Sequence, residues 1–168
     1  MEGWTLIPDA GAMEERLEGL GATIVQEYAR EDRYHFLPGH TSLEKGYIRI
    51  RGPENEGGLF LIQKMVRMKG KWVEAYRSHH PHFGAAKRKT MGHWQACLLV
   101  RRGKAFLLGE AHIRVEHIEG YGDVVAIKAD NDPAFQDIIS RLALLEMADT
   151  RDKDIALDFL IQKNAKPL

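Results

Sequence analysis

Apolar and polar residues alternate along most of this chain, and helical spacing is confined to a few segments. Met1 to Ile7 reads as a short strand, which Pro8 breaks. Asp9 can cap a helix that places Met13, Leu17 and Leu20 on one face, and Gly21 suits its end because glycine readily takes the left-handed conformation. Thr23 to Phe36 reads as one long strand or as a strand with a bulge, and Pro38-Gly39 starts a loop. Gly46 to Arg51 is the next strand, and the turn signal over 52–58 joins it to Leu59–Met68 as a β-hairpin. Lys71 to Ser78 returns around Gly70 as a second hairpin.

The stretch from His79 to Gly92 is the least regular, with a weak pattern for a short basic helix over Phe83–Met91. Gln95–Arg102 and Lys104–Leu108 flank Gly103, and Ala111–Val115 and Asp123–Ala129 flank the turn Glu119-Gly120-Tyr121-Gly122. Asp132-Pro133 opens a helix with Phe135, Ile138, Ile139, Leu142 and Leu145 in its apolar stripe. Ile155 to Ile161 reads as a last helix. The pattern predicts a mainly β (α+β) fold of about eight antiparallel strands, which tend to close into a barrel or sandwich, with flanking helices. With no repeat and no linker, residues 1–168 read as a single domain.

Within this pattern Tyr47-Ile48-Arg49-Ile50-Arg51 stands out. Side chains of a strand alternate faces, so Tyr47, Arg49 and Arg51 share one face and Ile48 and Ile50 the other. Two arginines on one strand face repel each other unless that face looks at something anionic. Lys64 falls on a face with Phe60 and Ile62, where a core residue is expected. A sheet that turns cations inward is a candidate phosphate receptor.

The composition is ordinary for a soluble globular protein, 44% hydrophobic and 29% charged. Twenty-four basic residues balance 24 acidic ones, which disfavours binding of nucleic acid or membrane driven by total charge and shifts attention to where the charges lie. Cys97 is the only cysteine, so no intrachain disulfide can form and a reducing compartment is the simpler reading. The N-terminus lacks a secretory pattern and no apolar run is long enough for a membrane helix, so a cytoplasmic location is expected.

The cations to account for are Arg49, Arg51, Lys64, Arg77, Arg101, Arg102, Lys104, Arg114 and Lys128. Barrel closure would turn one face of each strand inward together. The competing reading is a solvated amphipathic sheet in which they pair with Glu74, Glu110 and Glu116. His79, His80, His82 and His93 match no zinc spacing and read as solvated loop residues. No serine sits in a nucleophile elbow, no glycine-rich loop joins a strand to a helix, and Cys97 reads as a small buried residue. Trp4, Trp72 and Trp94 are dispersed and offer no stacking platform for nucleic acid.

The order of motifs resembles the CYTH superfamily of triphosphate tunnel proteins, which includes class IV adenylyl cyclases and thiamine triphosphatases. The resemblance covers nearly the whole chain. Leu17-Glu18-Gly19-Leu20-Gly21-Ala22 is similar to the end of the family's first helix, and Asp32-Arg33-Tyr34 to its aspartate-x-tyrosine strand. Tyr47 to Arg51 resembles its arginine-x-arginine strand, and Leu61-Ile62-Gln63-Lys64 its strand ending in lysine. Residues Val100 to Phe106 resemble a later basic strand with Arg101 as a tunnel cation. Val115 to Asp123 resemble the strand and glycine turn before the last tunnel strand. The resemblance implies an eight-stranded antiparallel closed barrel in which Arg49, Arg51, Lys64 and Arg101 hold phosphates and Glu116 is an acidic tunnel residue. It implies Mg2+ or Mn2+ as cofactor and a nucleotide, triphosphate or polyphosphate as ligand.

The chain departs from the family where the metal would sit. The first strand normally carries Glu-x-Glu-x-Lys, but this one offers Glu2 and then Trp4. The last normally carries Glu-x-Glu, where Ala126 and Lys128 stand here. Gly103 occupies the place of a second cation after Arg101. Glu2, Glu74 and Glu116 remain as a reduced set of metal ligands, and Lys128 can stand in for the metal as a phosphate-binding ammonium. A hard divalent cation needs oxygen ligands, and without them metal-assisted attack loses its main electrostatic support. Two functions are expected to compete. One is metal-dependent hydrolysis of a triphosphate or cyclisation of ATP, with no catalytic residue assigned. The other is binding of a nucleotide or polyanion without turnover. Beside them stands a structural module in which the cations pair with acids and the sheet mediates oligomerisation, such as a homodimer.

Overall fold

The computed structural model describes residues 1–53, 58–149, 154, 155 and 157–160. The elements follow one another as β1 (Glu2–Ile7), α1 (Ala10–Gly19), β2 (Thr23–Phe36), β3 (Gly46–Gly52), β4 (Phe60–Met68), β5 (Lys71–His80), α2 (Phe83–Arg88), β6 (Gln95–Leu108), β7 (Ala111–Ile118), β8 (Gly122–Lys128), α3 (Asp132–Arg141) and the two-residue β9 (Ala148–Asp149). Residues 155 and 157–160 are helical, and residue 161, the end of the expected last helix, lies outside the described residues.

The chain divides into two compact units, Met1–Tyr28 with Arg101–Thr150, and Ala29–Val100 with Arg151–Leu168. The long strands β2 and β6 each contribute to both. In the first unit the strand order is β6-β7-β8-β1-β9, and in the second β5-β4-β3-β2. The ladders within each unit are antiparallel. The fold is therefore mainly β, eight main antiparallel strands with a few helices. The expected closed barrel is not formed by hydrogen bonds. Among the described residues, β5 and β9 are the ends of the hydrogen-bonded order, and no ladder joins them.

In the first unit one sheet face builds the core. Ile113, Val115, Val125, Ile127, Phe106 and Leu108 pack with Leu17 of α1 and with Phe135, Ile138 and Leu142 of α3. Burying one such side chain is worth roughly 1.5–3 kcal/mol. Asp9 caps α1 through Ala12 N at 3.0 Å, as the sequence predicts. The cap of α3 is Asn131, one residue before the Asp132-Pro133 pair that opens the helix, and it accepts from Ala134 N at 2.9 Å. Gly3 lets α3 approach β1, since a Cβ there would lie 2.9 Å from the Phe135 ring. With Gly3 on the helix side, alternation turns Glu2, Trp4 and Leu6 to the opposite face.

In the second unit Ile48, Ile50 and Ile62 pack under Ala86 of α2, with Phe60, Phe83 and Leu37 alongside. The face of β3 that carries Tyr47, Arg49 and Arg51 is thus the one away from α2, as the alternation predicts.

Gly103 is not a break between two strands, as its sequence context suggested, but the middle of the continuous β6. It pairs with Glu116, and a Cβ at this position would lie 2.4 Å from the Val115 carbonyl oxygen. A side chain is excluded here by the closeness of β7, which gives a packing reason for the missing second cation.

Candidate functional site

Each unit carries a polar sheet face. In the second unit the register sets Asp32 opposite Arg51, Tyr34 opposite Arg49, and Arg49 opposite Gln63. Gln63 lies opposite Arg77, and an irregularity after Lys64 brings Glu74 opposite Met65 on the same face. Arg51 gives Nε and Nη2 to the two oxygens of Asp32, both at 2.7 Å, with Asp32 fully buried. Arg49 donates to Gln63 Oε1, Gln63 donates to Glu74, and Arg77 reaches both Glu74 oxygens at 2.9 Å.

The hydrogen bonds from Arg77, against a smaller penalty from burial and with help from Gln63, hold the Glu74 carboxyl below the usual range. Burial disfavours the Arg49 charge, but the Tyr34, Asp32 and Tyr47 oxygens around it outweigh that, so its pKa is raised. Burial also lifts the Tyr47 phenol well above its ordinary value, helped by Asp154, whose Oδ2 accepts from it at 2.6 Å. Trp72 packs on Tyr47 with ring centroids 5.3 Å apart. Two donors, Arg49 Nε and Trp72 Nε1, are buried with no hydrogen-bond partner among the described residues.

Lys64 departs from the expected set. It pairs with Ile48, so it lies on the α2 side of the sheet, opposite Arg49 and Arg51, and it is exposed. The residue that β4 presents beside Arg49 is Gln63.

In the first unit the face away from the helices carries Arg101 and Ala105 of β6, Glu116, Arg114 and His112 of β7, Ala126 and Lys128 of β8, and Glu2 and Trp4 of β1. Arg101 and Glu116 are both buried and joined at 3.1 Å, and Tyr28 donates to the other Glu116 oxygen. At the far end of the same face, Arg114, Lys128, His112 and Glu2 surround a pocket of about 250 Å³ floored by Ala105 and Ala126. Arg114 lies 3.5 Å from Glu2. The small side chain of Ala126 leaves the space that the pocket occupies. Arg114 was one of nine cations singled out by sequence. His112 was missed, although its even spacing from Arg114 and Glu116 puts it on their face.

The residues expected to hold a metal do not fit one. Glu116 is opposite Val124 and hence in line with Leu6, four residues along β1 from Glu2, so Glu2 and Glu116 are roughly 16 Å apart across the sheet. Glu2, Glu74 and Glu116 each have an arginine as neighbour. Among the described residues no three His, Cys, Asp or Glu side chains are grouped to hold a metal ion.

Neither a family model nor a curated protein matches the sequence. Solved structures do match the fold. The PH1819 protein of Pyrococcus horikoshii superposes with a TM-score of 0.74 at 13% identity, covering 96% of this chain and 98% of its own. Provisionally assigned adenylate cyclases from Vibrio parahaemolyticus and Bacillus halodurans superpose with TM-scores of 0.65 and 0.62 at 14% and 12% identity. They are covered over 97% and 94% of their length, and cover 96% and 92% of this chain. The chain shares the fold of these proteins. At such identities the likeness extends to the fold alone. No helix among the described residues is long and apolar enough to cross a membrane.

Proposed function

We propose that this protein binds a nucleotide or another triphosphate or polyphosphate through cations on its sheet faces, without turning it over. The observation that carries the reading is the pocket in the first unit, where Arg114, Lys128 and His112 face a single carboxylate, Glu2. Two permanent cations and an imidazole against one acid make a seat for an anion, and the alanine floor leaves room for a phosphate group. The buried, unpartnered donors Arg49 Nε and Trp72 Nε1 in the second unit support it, because a buried donor calls for an acceptor. The fold shared with provisionally assigned adenylate cyclases supports a nucleotide as the class of ligand. This reading takes the whole chain as one domain. Within their own units, Arg49 and Arg101 serve as further phosphate ligands, Arg51 as a cation balanced by Asp32, and Lys64 as an outer contact.

The test is calorimetric titration with tripolyphosphate and ATP, each with chelator and with Mg2+ or Mn2+, followed by product analysis. Binding is expected to survive chelation, since the side-chain cations supply it. Arg114→Ala and Lys128→Ala are each expected to lose about 1–3 kcal/mol, the scale of one charge-assisted hydrogen bond. Unchanged affinity in both variants would remove the site. Metal-dependent release of phosphate or formation of cyclic AMP would make the protein an enzyme and overturn the non-catalytic reading.

A further inference from the structure

We propose that the segment from His82 to Trp94, in the second unit, is a docking surface for an anionic lipid bilayer. Between Glu74 and Glu110 the sequence has no acidic residue, so this neutral protein gathers positive charge locally. Lys87, Arg88 and Lys89 are all exposed at the end of α2. Just beyond them Met91 and Trp94 are 76% and 82% exposed. Trp94 is the one tryptophan in water, for Trp4 and Trp72 are 3% and 6% exposed.

This exposure is built into the fold. Ala86 is fully buried against Ile48, Ile50 and Ile62 and clamps α2 to the sheet. His82 caps the helix, its Nδ1 accepting from Ala85 N at 3.1 Å. Thr90 N donates to Lys87 O and His93 N to Thr90 O, each at 3.0 Å, and Phe36 N donates to Trp94 O at 2.9 Å. The backbone is pinned on both sides of Met91, and it holds an indole and a thioether out beside three cations.

An indole with a flanking apolar side chain suits the headgroup boundary, and lysines beside it are attracted by anionic headgroups. Nucleic acid fits less well. Met91 has no use in contacting phosphates, and the Phe83 ring of α2 is already covered by Arg33 at 4.5 Å and Lys87 at 5.9 Å. A second copy of the chain would bring two cationic patches together.

The full chain is mixed with vesicles of phosphatidylcholine containing roughly a third phosphatidylserine, or with phosphatidylcholine alone, and tryptophan emission and co-sedimentation are read. Emission is expected to move to the blue with the anionic vesicles only, and binding to fall as salt is raised. The double variant Lys87→Glu, Lys89→Glu is expected to lose about 30-fold or more in vesicle affinity, on the scale of one surface charge apiece. Trp94→Ala is expected to lose the blue shift. Both variants keep the parent's tripolyphosphate affinity, which separates this surface from the pocket in the first unit. Equal binding to neutral vesicles, unshifted emission, or the same blue shift with a single-stranded oligonucleotide or on self-association without lipid would overturn the proposal.

Discussion

Replacing Asp32 by alanine is expected to be among the most damaging single changes in the second unit. Asp32 is fully buried and Arg51 is 8% exposed. The two share a bidentate pair with both contacts at 2.7 Å, between directly opposed residues of β2 and β3. Alanine removes both charge-assisted bonds and leaves a guanidinium that no longer has its counter-charge where water is scarce. Breaking one side of such a pair costs about 3–5 kcal/mol, a large part of the 5–15 kcal/mol that holds a typical domain together. Replacing both partners, as Asp32→Leu with Arg51→Met, removes the orphaned charge along with the pair and is expected to restore most of that loss. Urea unfolding followed by circular dichroism gives the two numbers. A loss under about 1 kcal/mol in Asp32→Ala would mean that Arg51 finds water or another acid at once, and the buried pair would not be the organising contact argued here. A double variant no more stable than the single one would refute the orphaned charge as the cause.

Gly103→Ala is expected to destabilise by about 1–3 kcal/mol, because its Cβ meets the Val115 carbonyl in β7; chemical denaturation checks it, and an unchanged midpoint would show that the strands can part at no cost. His35 is buried and its pKa is lowered, first by that burial and further by His93 and Arg33, against opposing hydrogen bonds to the backbone. The folded state therefore binds this proton less readily than the unfolded chain. The stability it contributes is full above the unfolded value near 6.5 and declines as pH falls toward the depressed folded value. Thermal unfolding between about pH 7 and pH 5 is expected to show a steeper decline in the parent than in His35→Leu, and equal slopes would refute the assignment. Ala126→Glu fills the pocket of the first unit and sets a second carboxylate beside Arg114, so it is expected to weaken tripolyphosphate binding by about tenfold or more, which titration checks.

Much of the sheet was legible in the sequence because strand alternation is a local property. The faces of Tyr47, Arg49 and Arg51 against Ile48 and Ile50, the Asp9 cap of α1 and the hairpin strands follow from residues near one another in the chain. The local signal also misled at Gly103, where glycine between two apolar runs reads as a turn, but the reason for glycine is a neighbouring strand separated in sequence. β9 was missed, as two residues are too short to show a pattern. The grouping of cations depended on register. Lys64 is apolar-flanked in the sequence, yet only its pairing with Ile48 shows that it turns away from Arg49.

Partnership was likewise decided in three dimensions. Asp32 neutralises Arg51 across a ladder, Glu116 is held by Arg101 and Tyr28, and Glu2 is carried beside Arg114 by a strand from the other end of the chain. The sequence by itself determined the kinds of charge present, their alternation on each strand and the absence of a carboxylate at 126. The tertiary structure decided which charges cancel and which surround a space, because an ion pair or a pocket depends on distances between strands that the order of residues does not set.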